Sequence, residues 1–229
     1  MTKLTASLLA LGLVASAAPA FAADLPQVPD KPAAPPAAST TIGLEGSPEF
    51  FADPTNVRYG QVNDVYLKGT ITENVGNGFS IGTSLQGVDK ISNSPATYQY
   101  LADVFAAYKA KVSDAVSLTF TGGLGFSFGN TGYAGGVAVG TGTDPFLYYY
   151  GQAALDYKID SNWTWNVVNV RLRDAFSVAW YTPKIQSGIT YNIDASNAIY
   201  ANAGYAWKDS GSGLKPDKFN IAVGYKYSF

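Results

Sequence analysis

The fold is decided by the last eleven residues of the chain, 219–229, which read FNIAVGYKYSF. Large apolar or aromatic side chains occupy every second position from Phe219 to Phe229, and small or polar residues lie between them. Such alternation predicts a β-strand with one apolar face and one polar face. Six large side chains on one face, the last of them aromatic, are typical of a strand that contacts lipid and has a polar lumen behind it.

The same alternation recurs along the chain between residues 40 and 208. It predicts nine further strands, at 40–50, 62–75, 79–88, 97–112, 116–128, 146–159, 165–176, 183–194 and 197–208. The first of these has the weakest pattern, because Pro48 cannot donate a hydrogen bond to a sheet. Closed membrane barrels have an even number of strands. We therefore expect an all-β fold, a closed antiparallel up-and-down transmembrane β-barrel of ten strands, with eight strands as the alternative.

Charged residues support this interpretation. Twelve charged side chains in or directly beside the strands from residue 97 onward, among them Lys109, Arg171 and Lys226, fall on the face opposite the apolar one. A Lys or Arg that faces lipid near the bilayer midplane costs about 2–4 kcal/mol. The competing interpretation is a soluble sandwich or lipocalin-like barrel, which would place its apolar face inside and its charges outside.

The predicted turns give the topology. Short turns at 75–78, 113–115, 160–162 and 194–197 alternate with longer connections at 88–96, 129–145, 177–182 and 209–217. Membrane barrels have short periplasmic turns and longer outer loops. The final strand is therefore expected to end at the periplasmic rim.

Two segments precede the predicted barrel at 40–229. Residues 1–22 have the features of a signal peptide, with Lys3, an apolar core at 8–18 and the small-x-small pattern Ala20-Phe21-Ala22. Residues 23–39 are rich in proline, which favours an extended periplasmic segment without sheet pairing. The expected location is the outer membrane, reached by export through the periplasm.

The composition argues against several classes of function. The chain has no cysteine and no histidine, so thiolate chemistry and the commonest general base near neutral pH are missing. A net charge of −2 does not indicate the basic surface that binds nucleic acid, so no nucleic-acid partner is expected. The Gly-rich segment 129–142 lacks a lysine and a following helix, so we interpret it as an outer loop and not as a phosphate cradle. Residues 194–197 are interpreted as a tight turn and not as a calcium site. We predict no enzyme, no catalytic residue, no cofactor and no metal.

The polar face of the strands indicates what fills the lumen. Glu45 and Lys68 are expected at similar depth on neighbouring strands, and Arg171 and Arg173 are expected to face inward from one strand. Unpaired charges in a closed lumen are costly, so the sequence predicts a charged network that plugs the lumen. Its members are Glu45, Lys68, Asp103, Asp156, Arg171 and Arg173. The expected role is structural or surface interaction; the alternative is a passive narrow porin for small solutes.

The tail also resembles a known signal. Residues 224–229, GYKYSF, are similar to the C-terminal signal of outer-membrane barrels, in which a terminal Phe follows alternating aromatic residues. The resemblance implies that the barrel-assembly machinery reads Tyr225, Tyr227 and Phe229. The segment ADLP at 23–26 and the Pro-rich stretch after it resemble small barrel proteins of alphaproteobacteria, the porin-family barrels related to the OmpA class. Implied partners are outer-membrane lipid and lipopolysaccharide; an extracellular ligand is not specified.

Overall fold

The computed structural model describes residues 39–91, 97–134, 137–140 and 145–229, so the predicted signal peptide and all but the last residue of the Pro-rich segment lie outside the described residues. The described residues form eleven β-strands and no helix. The strands are β1 (Thr40–Phe51), β2 (Val62–Gly76), β3 (Phe79–Lys90), β4 (Thr97–Lys111), β5 (Val116–Ala134), β6 (Val137–Gly140), β7 (Phe146–Lys158), β8 (Trp163–Ala175), β9 (Lys184–Asn192), β10 (Asn197–Asp209) and β11 (Leu214–Ser228).

Ten of these strands close into a barrel. Each pairs antiparallel with its neighbours, β4 pairs with β5, β5 with β7, and β1 pairs with both β2 and β11 to complete the ring. The short β6 pairs with the far end of β5. The predicted ten-stranded antiparallel barrel is confirmed. It includes β1, which continues through Pro48 with a register shift between Glu49 and Phe50.

The strands are strongly staggered around the ring. From Glu45, paired positions lead to Phe146 on β7 in one direction. In the other direction they lead to Lys158 on the same strand, twelve residues away. This stagger requires the strands to tilt against the barrel axis. On the side of the barrel opposite β1, the residues at the same level along the barrel axis as Glu45 therefore lie midway between Phe146 and Lys158. This position is close to Gln152, which is paired with Arg171.

The exterior of the barrel is apolar. Leu67, Val104 and Val223 expose 58%, 60% and 61% of their surface, although a soluble sheet would bury such residues. Comparable exposed aliphatic residues occur on the other strands of the barrel, including Leu44, Ile81, Leu124, Leu147, Ile185 and Ile199. A continuous apolar exterior is the surface that a barrel presents to hydrocarbon. No helix in the described part of the chain is long and apolar enough to cross a membrane, a finding that does not bear on strands.

The two ends of the barrel differ in their connections. The turn end carries the short connections 77–78, 112–115, 159–162 and 193–196, and the loop end carries 52–61, 91–96, 141–145, 176–183 and 210–213. The usual asymmetry of membrane barrels, with short turns on the periplasmic side, predicts that the turn end faces the periplasm, and this orientation stays a prediction.

Aromatic rings are in contact at both ends of the barrel. At the turn end, the ring centroids of Phe79 and Tyr108 are 4.7 Å apart, and those of Trp163 and Tyr191 are 4.6 Å apart. At the loop end, Phe50 stacks on Phe219 and Tyr205 contacts Trp207, both at 4.8 Å. These rings form the two girdles expected where a barrel meets the membrane interfaces.

Three details at the loop end differ from the sequence expectations. β5 runs to Ala134 and not to residue 128, so part of the Gly-rich segment forms a hairpin with β6 in place of a loop. β11 begins at Leu214 and not at residue 219, which shortens the last connection to four residues. Asp89 and Asp174 pair with the outward-facing Tyr98 and Tyr149, so these two carboxylates share the outer face near the rim. Asp174 Oδ1 accepts a hydrogen bond from the Ala175 backbone N–H, whereas Asp89 Oδ1 is buried without a partner among the described residues.

Candidate functional site in the barrel lumen

Large rings enter the lumen opposite glycines. Tyr150 on β7 pairs with Gly123 on β5, and a Cβ added at Gly123 would lie 2.5 Å from the Tyr150 ring. In three further pairs an added Cβ would likewise overlap a ring: Tyr148 over Gly125, Phe105 over Gly82 and Tyr200 over Gly224. Glycine therefore provides the space in which each ring lies against the barrel wall. The sequence did not reveal this packing, because ring and glycine belong to different strands.

Lumen carboxylates accept hydrogen bonds from neutral side chains. Tyr66 Oη donates to Glu45 Oε1 at 2.7 Å, and Asn166 Nδ2 donates to Asp156 Oδ1 at 2.8 Å. Asp103 accepts from Ser84 Oγ at 2.8 Å and also from Tyr148 Oη. These bonds tie neighbouring strands of the barrel together.

A lysine and two carboxylates form an ion cluster near the loop end. Lys218 Nζ lies 2.9 Å from Glu49 Oε2 and also contacts Asp64 Oδ2. The Asp64 side chain is only 3% exposed and that of Lys218 is 23% exposed, so solvent screens this cluster weakly. The predicted network did not include these residues, because Glu49 follows Pro48 and its inward position depends on the pairing of β1 with β11.

The six residues of the predicted network all lie on barrel strands. Glu45 and Lys68 are directly paired across β1 and β2, and Arg171 is paired with Gln152 across β8 and β7. Among the described residues, no ion pair within 4 Å joins two of the six. Their action as one charged network therefore stays a prediction.

The lumen also contains a cavity of about 340 Å³, called the lumen cavity below. Six cationic side chains and three carboxylates line it: Lys68, Lys90, Arg171, Arg173, Lys184, Lys218, Glu45, Glu49 and Asp217. Each of these carboxylates already has a partner, since Asp217 lies 2.9 Å from Lys208 Nζ, Glu45 accepts from Tyr66 and Glu49 contacts Lys218. The cavity therefore offers positive charge and hydrogen-bond donors.

Trp180 lies against the lumen cavity from the loop 176–183. The Arg173 guanidinium lies 3.9 Å from the Trp180 ring centroid, and Arg173 Nε donates to Thr182 Oγ1 at 3.1 Å. The indole also contacts Phe146 and Tyr148 edge-on, at 4.9 Å and 5.0 Å between centroids. A cation–π contact and a small aromatic cluster thus hold the loop against the inner wall.

The tight turn at 194–197 is held by its own side chains. Asp194 Oδ1 accepts from the backbone N–H groups of Ser196 and Asn197 at 2.8 Å, and Asn197 Nδ2 donates to the same carboxylate. The hydrogen bond from the Asn197 side chain, followed by that from the Ser196 backbone, holds the pKa of Asp194 below its ordinary value. No group of three or more Asp or Glu residues in the described ranges could hold a metal ion.

No protein-family model matches the chain, and no curated protein matches it in sequence. Among solved structures it is similar to an outer-membrane channel from Pseudomonas putida F1, with a TM-score of 0.52 and 10% identity over 90% of this chain and 100% of that one. It is also similar to neisserial surface protein A, with a TM-score of 0.43 and 9% identity over 84% of this chain and 97% of that one. A third similar structure is the N-terminal barrel domain of Pseudomonas aeruginosa OprF, with a TM-score of 0.38 and 10% identity over 82% of this chain and 97% of that one.

Identities this low establish the fold alone, and the alphaproteobacterial source stays a prediction. The closed ring of ten strands, the apolar exterior and the two aromatic girdles agree with that fold. The chain is a small outer-membrane β-barrel.

Proposed function

We propose that this barrel does not conduct and that its role is structural or surface-presenting. The observation that carries the proposal is the packing of inward rings over glycines, with Trp180 lying against the cavity from the loop end. A ten-stranded barrel has a narrow bore. Inward rings from β4, β7 and β10 narrow that bore further, and Trp180 contacts Phe146 and Tyr148 at its loop end. We therefore expect no continuous path for a solute.

The first outer loop supports a role at the surface. Asp53 Oδ1 accepts from Thr55 N at 2.9 Å and from Thr55 Oγ1 at 2.7 Å, and these bonds lower the pKa of Asp53. The Arg58 guanidinium lies 4.4 Å from the Phe51 ring centroid. The loop thus has internal order, yet Val57 is 96% exposed and Tyr59 is 58% exposed. Apolar side chains held outward in this way suit contact with another surface.

A passive narrow pore is the second candidate, and the lumen cavity is the observation that favours it. A volume of about 340 Å³ with a polar lining could form one part of a path for small solutes. The structural role and the pore differ in whether the inward aromatic rings block that path.

Conductance in planar lipid bilayers tests the proposal. We expect no channel steps from the wild-type protein, and we expect steps from the double variant Tyr148→Ala, Tyr150→Ala, which removes two inward rings. Tyr149→Ala is the matched control, because Tyr149 faces outward and its ring contacts Phe176; it should remain silent. Stable nanosiemens-scale steps from the wild type would overturn the proposal and support the pore.

We also propose that the barrel-assembly machinery recognises Tyr225, Tyr227 and Phe229. In support, Tyr225 and Tyr227 are exposed on β11 at the turn end, and the ring of Phe229 lies 5.8 Å from that of Tyr227. Phe229→Ala should reduce the amount of heat-modifiable barrel in the outer membrane. Phe219→Ala is the control, since it removes a ring from the same strand at the loop end. Equal assembly of both variants would contradict the proposal.

A further inference from the structure

Two cationic side chains occupy directly paired positions on neighbouring strands, and neither forms an ion pair with a described carboxylate. Arg171 on β8 is directly paired with Lys184 on β9, and both line the lumen cavity. Like charges at directly opposite positions destabilise a sheet. In the described part of the chain, neither side chain has an Asp or Glu oxygen within 4 Å.

Arg171 also has an unused donor. Its Nε is buried and has no hydrogen-bond partner among the described residues. A buried donor without an acceptor is expensive, and a charged one more so. Native proteins rarely keep such a group unless a ligand, ion or water satisfies it.

The rest of the lumen cavity increases the positive charge. Lys68 contributes a further cation from β2, and Arg173 and Lys90 add to the lining. Three carboxylates share the lining, Glu45, Glu49 and Asp217, and the last two are ion-paired with Lys218 and Lys208. Six cationic side chains therefore face three carboxylates, so the lining carries an excess of positive charge.

We propose that the lumen cavity is a binding site for a small oxyanion, the carboxylate or phosphate group of a solute, held between Arg171 and Lys184. A guanidinium matches either group with two parallel N–H donors. The opposing lysine supplies a compact charge from the other side, and Gln152 and Lys68 add further donors. The cavity volume lies within the range of ordinary ligand pockets, about 300–1,000 Å³. The site does not depend on whether the lumen conducts.

The first test is calorimetric titration of the full chain, folded in detergent micelles, at constant ionic strength set with chloride. The probes are inorganic phosphate and glucuronate, with glucose as the uncharged control. Saturable binding of phosphate alone identifies a phosphate site, binding of glucuronate alone identifies a site for carboxylated solutes, and binding of both supports a general oxyanion site. Failure of both probes to bind, or equal binding of glucose, would overturn the proposal.

Variants locate the site. Lys184→Gln and Arg171→Gln should each weaken binding by about tenfold or more, because each removes a charged hydrogen-bond donor. Lys111→Gln is the matched control: Lys111 is exposed and paired with Asp114, so its loss should leave binding unchanged. Equal weakening by the control would show nonspecific attraction of charge and would contradict the site.

Thermal unfolding with and without the anion distinguishes a binding role of Lys184 from a purely structural one. Without added anion, Lys184→Gln should unfold no lower than the wild type, because the substitution relieves the repulsion from Arg171. With saturating phosphate or glucuronate, the wild type should gain stability and the variant should not. Arg171→Gln serves the same comparison if Lys184→Gln fails to assemble. A variant that gains as much stability as the wild type would refute the assignment.

Discussion

The ring of Tyr150 lies over Gly123 on the neighbouring strand, so closely that a Cβ at Gly123 would be 2.5 Å from the ring carbons. Gly122, the next residue back along the chain, points the other way, and a Cβ there would meet nothing within 4 Å. Two adjacent glycines thus have opposite roles: one makes room for a lumen ring, and the other lies on the lipid-facing side.

Gly123→Ala should destabilise the barrel, because the added methyl group forces the Tyr150 ring away from the wall. Overpacking of this kind costs about 1–3 kcal/mol. Gly122→Ala, with open space around it, is the control and should change stability little. Urea unfolding in lipid vesicles measures both variants. Adding Tyr150→Ala to Gly123→Ala should remove most of the overpacking cost, and simple additivity of the two substitutions would contradict the contact.

Lys218→Met should destabilise the barrel far more than loss of a surface lysine. It leaves Glu49 and Asp64 side by side without their shared cation, and breaking a buried pair in this way costs about 3–5 kcal/mol. Lys111→Met breaks the exposed pair with Asp114, where solvent screens the attraction, so little stability should be lost. The same urea titration compares them. Equal losses for the two variants would show that the cluster is not isolated from solvent.

The strands and their faces could be read from the sequence because both depend on local alternation. Residues 219–229 and 97–112 each show period two, and charge on one face distinguishes a membrane barrel from a soluble one. The hairpin of β5 and β6 was not predicted, because the apolar alternation in its Gly-rich sequence is short and confined to Val137 and Val139 of β6. The early start of β11 was not predicted either, since residues 214–218 are mostly polar or charged and gain their order from pairing with β10.

The lumen contacts needed information that local patterns do not contain. Arg171 and Lys184 each face inward by alternation, but their opposition depends on the register of β8 and β9, including a shift between Asn166 and Asn169. The Lys218 cluster likewise joins β11 to β1 and β2, which lie at opposite ends of the chain. Inward direction was therefore predictable, whereas the choice of partner was not.

The carboxylate of Asp194, in the tight turn 194–197, should make part of the barrel's stability depend on pH. Hydrogen bonds from Asn197 and Ser196 lower the folded-state pKa of Asp194 below the ordinary aspartate value of 3.8. A lowered pKa means that the stabilisation is complete above the unfolded-state value and is lost as pH falls through the folded-state value. Wild type should therefore exceed Asp194→Asn in stability at pH 5, and the gap should shrink on acidification below 3.8. A gap that stays constant in thermal unfolding between these conditions would contradict the prediction.

The most direct test of the membrane barrel is to determine which side chains of β11 contact lipid and which face the lumen. The chain has no cysteine, so a single introduced cysteine carries the only nitroxide label. Collision of the label with oxygen, which concentrates in hydrocarbon, can be measured at Ile221→Cys, Ala222→Cys, Val223→Cys and Lys226→Cys in lipid vesicles. We predict high oxygen accessibility at positions 221 and 223 and low accessibility at 222 and 226. The reverse pattern, or equal accessibility at all four positions, would contradict a barrel with its apolar face in lipid and its charges inside.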